Sequence, residues 1–382
     1  MSWHASRLGD VLTLQRGHDL PDSQRQDGDV PVVSSSGITG RHSEPKAKAP
    51  GVVTGRYGTL GQVFYLEEDY WPLNTALYVT DFKGNHPRFV AYFLQGVLRN
   101  YQSDKAAVPG VNRNVLHELK VRCPDTTIQE RVAGILAAYD DLIENNRRRM
   151  VLLEDAAREL YREWFVRLRF PGHEHTAIVN GVPEGWERRV FADACESLED
   201  GDWIETKDQG GDDFRLLQIS NIGMNEFVET GNFRYITEQT FKRLNCREIL
   251  PRHILISRMP KPIGRAWLIT EMPWRMITAV DAAIAVANGE LADAHFLTQF
   301  LNSPTSLEHC ERRAVGATRP RIARRELAML PLLLPPRRLQ EHFRASAEPL
   351  NQQRAILYRQ DVKLRAARDL LLPRLMSGEI AV

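Results

Sequence analysis

The sequence is poor in cysteine, in long apolar runs and in excess charge of either sign. Its four cysteines (Cys123, Cys195, Cys246, Cys310) are scattered, with no CxxC pair. Cys246 with His253, and Cys310 beside His309, offer sulfur and imidazole. Without a second pair at ligand spacing they read as buried reduced thiols and not as a metal site. No window approaches the apolar length of a membrane span, and the opening MSWHASRLGDVLTLQ holds no signal-peptide core, so a cytoplasmic protein is expected. Fifty Lys and Arg against 49 Asp and Glu leave a net charge of +1, so nucleic-acid contact must come from local basic faces. There is no GxxxxGK[ST] loop, no Gly-rich dinucleotide turn, and no Asn-Pro-Pro-aromatic run of the amino-methyltransferase kind.

What the 382 residues do contain is an internal repeat. KVRCPDTTIQERVAGIL, starting at Lys120, resembles PLLLPPRRLQEHFRASA, starting at Pro331: Pro124 falls on Pro335 and Gln129 on Gln340, an offset of 211. Just upstream, VNRNVLHEL matches PRIARRELAML, with Leu116 on Leu327 and Leu119 on Leu330. GRYGTLGQVFYL pairs with SRMPKPIGRAWLI, and WHASRLGDV at Trp3 with WERRVFADA at Trp186. The offset grows from 183 to 211, so the second half carries loop insertions. Each half opens with short Val/Ile/Thr/Tyr runs bounded by Gly, Pro, Asn and Ser, such as DVPVVSSSGITG and RLLQISNIGMNEFV, which read as strands and turns. Each closes with a long helix. The fold class expected is α+β.

The helices are periodic. Leu136, Tyr139, Ile143, Asn146, Met150, Leu153, Ala157, Leu160 and Trp164 step by three and four; Phe343, Leu350, Leu357, Leu364 and Leu371 recur every seven. Under the offset of 211, Tyr139, Asn146, Leu153 and Leu160 fall on Leu350, Leu357, Leu364 and Leu371. These eight form the expected seam of a coiled coil; the alternative is an amphipathic helix on each domain. Asn146 is either a register-setting buried amide or a residue at a wet edge. The linker RFPGHEHTAIVNGVPEGWE, with Pro171-Gly172, breaks the first helix.

REWFVRLRFPGHE…VNGVPEGWERRVF, the two PxxxxQE segments and the terminal LLPRLMSGEI resemble the DNA-specificity subunit of type I restriction-modification systems. The resemblance covers nearly the whole chain. It implies two target-recognition domains of mixed and antiparallel strands with short helices, separated by two long antiparallel coiled-coil helices. The divisions expected are 1–125, 126–170, 171–335 and 336–382. It also implies that each domain reads half of a split, asymmetric duplex sequence while the helices set the spacer. A helix of ~38 residues spans ~57 Å, which suits half-sites about one and a half turns of ~34–36 Å apart. The implied partners are double-stranded DNA, two methyltransferase subunits and restriction/translocase subunits. S-adenosylmethionine, ATP and Mg²⁺ are then bound by those partners, and this chain is not an enzyme.

DNA contacts are expected from Arg41, Lys46, Lys48, Arg56, Tyr57, Asn112, Arg113 and Asn114 in the first half. In the second half they are Arg258, Lys261, Arg265, Arg319, Arg321, Arg324 and Arg325. Arg and Lys neutralise phosphates, and Arg, Lys and Asn read base edges. The segment ERRAVGATRPRIARRE has six arginines against two glutamates. For any one of these residues a solvated surface charge is the simpler reading; as clusters in matching places of two repeats they gain weight. A different class of function, a Mg²⁺-dependent nuclease, is suggested by Pro21-Asp22 with Glu44-Pro45-Lys46, but proline is nearly excluded from the central strand such a site needs. A coiled-coil scaffold without a DNA role is the third reading.

Overall fold

The computed structural model describes residues 3–56, 61–103 and 111–382. In chain order the first copy of the repeat comprises β1 (Trp3–Arg7), α1 (Leu8–Val11), β2 (Thr13–Arg16), β3 (Val30–Ser34), β4 (Gly37–His42), β5 (Gly51–Gly55), β6 (Val63–Leu66), β7 (Trp71–Pro72) and β8 (Ala76–Asp81). It continues with α2 (Pro87–Ser103), α3 (Arg113–His117), β9 (Lys120–Pro124) and the long α4 (Thr126–Tyr161). A hairpin of β10 (Ile178–Val179) and β11 (Val182–Pro183) precedes the second copy. That copy comprises β12 (Glu187–Val190), β13 (Cys195–Asp200), β14 (Phe214–Leu217), β15 (Tyr235–Ile236), α5 (Glu238–Leu244), β16 (Ile254–Ser257), β17 (Ala266–Leu268), β18 (Met276–Thr278) and β19 (Ala282–Ala287). It closes with α6 (Ala294–Leu301), α7 (Pro304–Arg313), α8 (Arg324–Ala328), β20 (Pro331–Leu334) and the long α9 (Arg337–Ser377). Two compact units form, Met1–Asn146 with Gln360–Val382, and Arg147–Arg359.

The copies share one topology. Each has a four-stranded antiparallel sheet, ordered β2-β8-β5-β6 and β13-β19-β16-β17, and a three-stranded sheet, ordered β4-β3-β7 and β15-β14-β18. In both three-stranded sheets the middle strand is antiparallel to one neighbour and parallel to the other. The opening strand pairs with the strand before the long helix: His4 faces Cys123 in one copy, and Glu187 faces Leu334 in the other. Under the offsets of 183 and 211 these are the same register. The growth in offset has a place too. Where β3 turns tightly into β4, the second copy inserts residues 218–234 between β14 and β15, and then α5.

The interior strands β5 (GVVTG) and β16 (ILIS) are buried throughout, as strands covered on both faces must be. Phe89, Val90, Phe93, Leu94 and Leu98 recur at helical spacing on α2 and are buried, and α2 packs against β5 and β6. At about 1.5–3 kcal/mol per large apolar side chain, that face is a principal stabiliser of the first unit.

Within each unit the two long helices run antiparallel. In the first, Arg368 pairs with Asp140 at 2.7 Å, and Asn146 donates to Asp361 at 3.1 Å. In the second, Arg354 pairs with Glu154, while the rings of Tyr161 and Phe165 lie 6.2 and 5.2 Å from Phe343. The buried line departs from the heptad phase. Asn146 and Leu357 are buried, while Tyr139, Leu153, Leu160, Leu350, Leu364 and Leu371 are half-buried flanks. Val132, Ile143, Glu154 and Phe165, eleven residues apart, lie at the centre. A helix of 3.6 residues per turn drifts ~20° per heptad, and an eleven-residue spacing drifts by about the same angle in the opposite sense, spread over more residues.

Candidate nucleic-acid interface

One end of each four-stranded sheet gathers the expected contacts. In the first unit the end of β2, the entry to β8 and the end of β5 meet there: Gly17 donates its N–H to Ala76 O at 3.1 Å and Arg56 to Thr75 O at 3.1 Å. Gly17 is required, since a Cβ would lie 2.2 Å from Leu73 O. Val111 N–H then bonds Arg56 O at 3.0 Å, bringing VNRN to the same place. In the second unit Gly201 bonds Ala282 O at 3.0 Å, and Ile322 N–H bonds Arg258 O at 3.2 Å, bringing IARR to the equivalent turn. A Cβ on Gly201 would lie 2.4 Å from Ala279 O.

In the first unit Asn112, Arg113 and Asn114 are exposed on the first turn of α3, where the Asn112 carboxamide oxygen accepts the Asn114 N–H at 3.0 Å. Arg56 is half-buried beside them, and Tyr57 lies outside the described residues. Arg41, Lys46 and Lys48 are elsewhere. Lys46 and Lys48 precede Gly51 at the opposite end of β5, about 13 Å away at 3.3 Å per residue. Lys48 pairs with Asp69 at 2.7 Å, Lys46 lies 5.2 Å over the Trp71 ring, and Arg41 donates to Asp29 O. These contacts are exposed and weak, so they leave the cations open to a partner.

In the second unit Arg319 and Arg325 are exposed, and Arg324 reaches back to Leu198 O at 2.8 Å and Asp200 at 3.4 Å. Arg321 is half-buried against Asp281 at 3.2 Å, and Lys261 pairs with Glu311 at 2.7 Å. Arg258 and Arg265 are a correction to the expected contacts. Both are inside the domain, 6% and 8% exposed. Arg265 donates to Ile222 O, Pro260 O, Pro262 O and Ile219 O at 2.6–3.2 Å, and Arg258 to Ile322 O at 3.0 Å and to Asp200. Burial pulls both guanidinium groups below their ordinary pKa. These bonds brace the β16–β17 turn and its neighbours, so both arginines shape the face from inside it.

Two residues at this end escaped the sequence reading. Arg16, exposed at the end of β2, bonds Asn74 O at 3.2 Å. Trp203, two residues past Gly201, is 71% exposed, and a tryptophan in so polar a turn was the available signal. Acidic neighbours are largely paired: Asp200 with Arg258 and Arg324, Glu199 with Arg247, Glu205 with Lys207. The Asp22, Glu44 and Lys46 of the nuclease-like pattern lie in a short helical turn and an exposed loop, with Asp22 paired to Arg25 at 2.8 Å. Among the described residues no three His, Cys, Asp or Glu are grouped to hold a metal ion, and no helix is long and apolar enough to cross a membrane. Burial pushes the Cys123 thiol up to about 11 and the Cys195 and Cys310 thiols up to about 12, the behaviour of inert core sulfur.

An α+β chain made of two copies of one domain, each leading into a long helix of an antiparallel pair, defines the class of protein. The profile described as "Type I restriction modification DNA specificity domain" matches residues 2–154. The MjaIX and MjaVIII specificity subunits of type I restriction enzymes, from Methanocaldococcus jannaschii, are 23% and 19% identical over 73% and 74% of this chain. Those alignments span 65% and 67% of the two relatives, about two thirds of their length. The crystal structure of a type I restriction-modification S subunit from M. genitalium superposes with a TM-score of 0.60 at 13% identity, covering 98% of this chain and 96% of that one. Residues 2–154 thus match that specificity-domain family, and over most of its length the chain is similar to type I specificity subunits.

Proposed function

We propose that this chain is the non-catalytic, DNA-reading subunit of a type I restriction-modification complex. It binds a bipartite, asymmetric duplex sequence, one half-site per domain, and carries two methyltransferase subunits and the restriction/translocase subunits on its helices. Adenine methylation, with S-adenosylmethionine, and cleavage, with ATP and Mg²⁺, belong to those partners, and the complex works in the cytoplasm. The observation that carries this reading is the shared backbone bond, Val111 to Arg56 and Ile322 to Arg258. In both copies it sets an arginine- or asparagine-bearing loop at one end of the four-stranded sheet. Two sites of one geometry with different side chains suit two different half-sites.

The test is co-expression with the cognate methyltransferase subunit and genome-wide mapping of methyladenine. A split motif with an unread spacer is expected, and its absence would overturn the reading. Purified chain with Mg²⁺ should leave DNA uncut; robust cleavage would instead favour the nuclease reading.

A further inference from the structure

The repeated glutamine of the two PxxxxQE segments is almost completely buried: Gln129 is 1% exposed and Gln340 0%. A buried primary amide has to satisfy four hydrogen-bonding positions, and what it bonds reveals its task. Gln129 Oε1 accepts the backbone N–H of His86, the residue before α2, at 2.9 Å. Its Nε2 donates to Pro124 O at 2.8 Å, at the end of β9, and to Asn85 Oδ1 at 2.6 Å. In the second copy Gln340 Oε1 accepts the N–H of Asp293, the N-cap of α6, at 2.8 Å, and Nε2 donates to Pro335 O at 2.8 Å and Leu291 O at 2.9 Å. Both amides tie the residue before the helix to the proline carbonyl that ends the strand, and each adds a third bond, to the Asn85 side chain in one copy and the Leu291 carbonyl in the other.

We infer that Gln129 and Gln340 are positioning residues for target reading: each locks its recognition domain at one angle on the first turn of its own long helix, and so limits the spacer lengths that the chain accepts. The inference rests on the proposed function and deepens it. The tied helices α2 and α6 lie directly against the strands that carry the sheet end described above, α2 on β5 and β6, α6 on β17 and β19. A swing of about 10° at the tie, over a lever on the order of 20 Å, moves that end by roughly 3 Å. That is about one base-pair step of 3.4 Å along a strand. Helix length sets the coarse spacing; the amide prevents slippage by one step.

The experiment uses the assembled methyltransferase complex with the full chain. Its probes are duplexes carrying the mapped bipartite motif with the natural spacer, one base pair more and one base pair fewer. Gln129→Met and Gln340→Met preserve side-chain length while removing every bond of one tie. Each is expected to methylate the natural spacer near the parental rate, and to lose about tenfold in discrimination against the altered spacers, the scale of one or two lost hydrogen bonds. The bases specified in each half-site should not change. Unchanged spacer discrimination in a variant whose melting temperature falls would overturn the inference and reduce the amide to a stabiliser. Should Gln129→Met not assemble, Asn85→Ala removes one arm of the same tie and must shift discrimination in the same direction, failing which the inference is likewise overturned. Absence of any bipartite motif with the parental complex would instead fault the proposed function.

Discussion

Asn146 Nδ2 donates to Asp361 Oδ1 at 3.1 Å, with both residues at the interior of the helix pair, 6% and 4% exposed. Of the two readings open from the sequence, a buried register-setting amide and a wet edge, the burial is that of the first. Asn146→Leu leaves Asp361 with Arg365 at 3.7 Å as its remaining ionic contact described. We expect a loss of about 1–3 kcal/mol in chemical unfolding, the scale for a buried acceptor deprived of its donor. Asn146→Leu with Asp361→Leu should recover most of it. A double variant no better than the single one would contradict this account.

The second unit holds a larger polar cluster on the same helices. Glu154, 5% exposed, accepts from Arg354, from Asn225 Nδ2 at 3.2 Å and from Gln299 Nε2 at 3.4 Å, while Arg354 also donates to Asn225 O at 2.9 Å. Glu154→Ala should cost about 3–5 kcal/mol, because it leaves a buried guanidinium with only the more distant Glu226, at 3.8 Å, to balance it. Glu154→Met with Arg354→Met should cost far less. Equal losses in the single and double variants would show that packing, not charge, dominates there.

His295 gives a pH dependence of definite sign. Burial, the largest cause, holds its imidazole below the ordinary value of 6.5, opposed by Asp293 and Glu348 and assisted by Arg252 and Arg344, while Asn351 bonds its ring at 3.1 Å. The folded state therefore favours the neutral ring. That contribution to stability is complete above pH 6.5 and is lost as pH falls through the lowered folded-state value. The melting temperature should drop on acidification from neutrality, and His295→Gln should drop less. Parallel curves for the two proteins would exclude His295 as the cause.

Arginines on the candidate face should separate into two behaviours. Arg319→Ala, at an exposed position, should weaken DNA binding at all sequences and lower the salt-dependence slope by about one. Arg265→Ala, which strips hydrogen bonds from four carbonyls, should lower the melting temperature before it alters the salt slope. A salt slope reduced by Arg265→Ala and untouched by Arg319→Ala would refute the placement of both.

The repeat was legible because it is written twice. Pro124 and Pro335, Gln129 and Gln340, and the leucines before them recur at one offset, and the strands and helices they imply are present in one shared topology. Arg258 and Arg265 were read as surface cations because composition cannot tell a solvated guanidinium from one that braces a turn; that depends on which carbonyls converge on it. Trp203, a tryptophan in a polar turn, carried a local signal, but only the fold places the end of β13 at that face. Of the expected seam, Asn146 and Leu357 are buried while the other six flank the buried line, because a seven-residue count accumulates drift along a helix as long as α4, 36 residues.

By itself the sequence determined the two-copy plan, the α+β class and the long paired helices, since these follow from periodicity and turn residues that act locally along the chain. Tertiary structure decided which charges face outward, that glutamine became the tie between each domain and its helix, and that the centre of the helix pair is polar around Asn146, Glu154, Arg354 and Asp361. Those outcomes depend on partners that lie from about 43 residues away, for Gln129 and His86, to 215, for Asn146 and Asp361, and hydrogen-bond satisfaction in a buried site is a property of the assembled fold, not of any stretch of sequence.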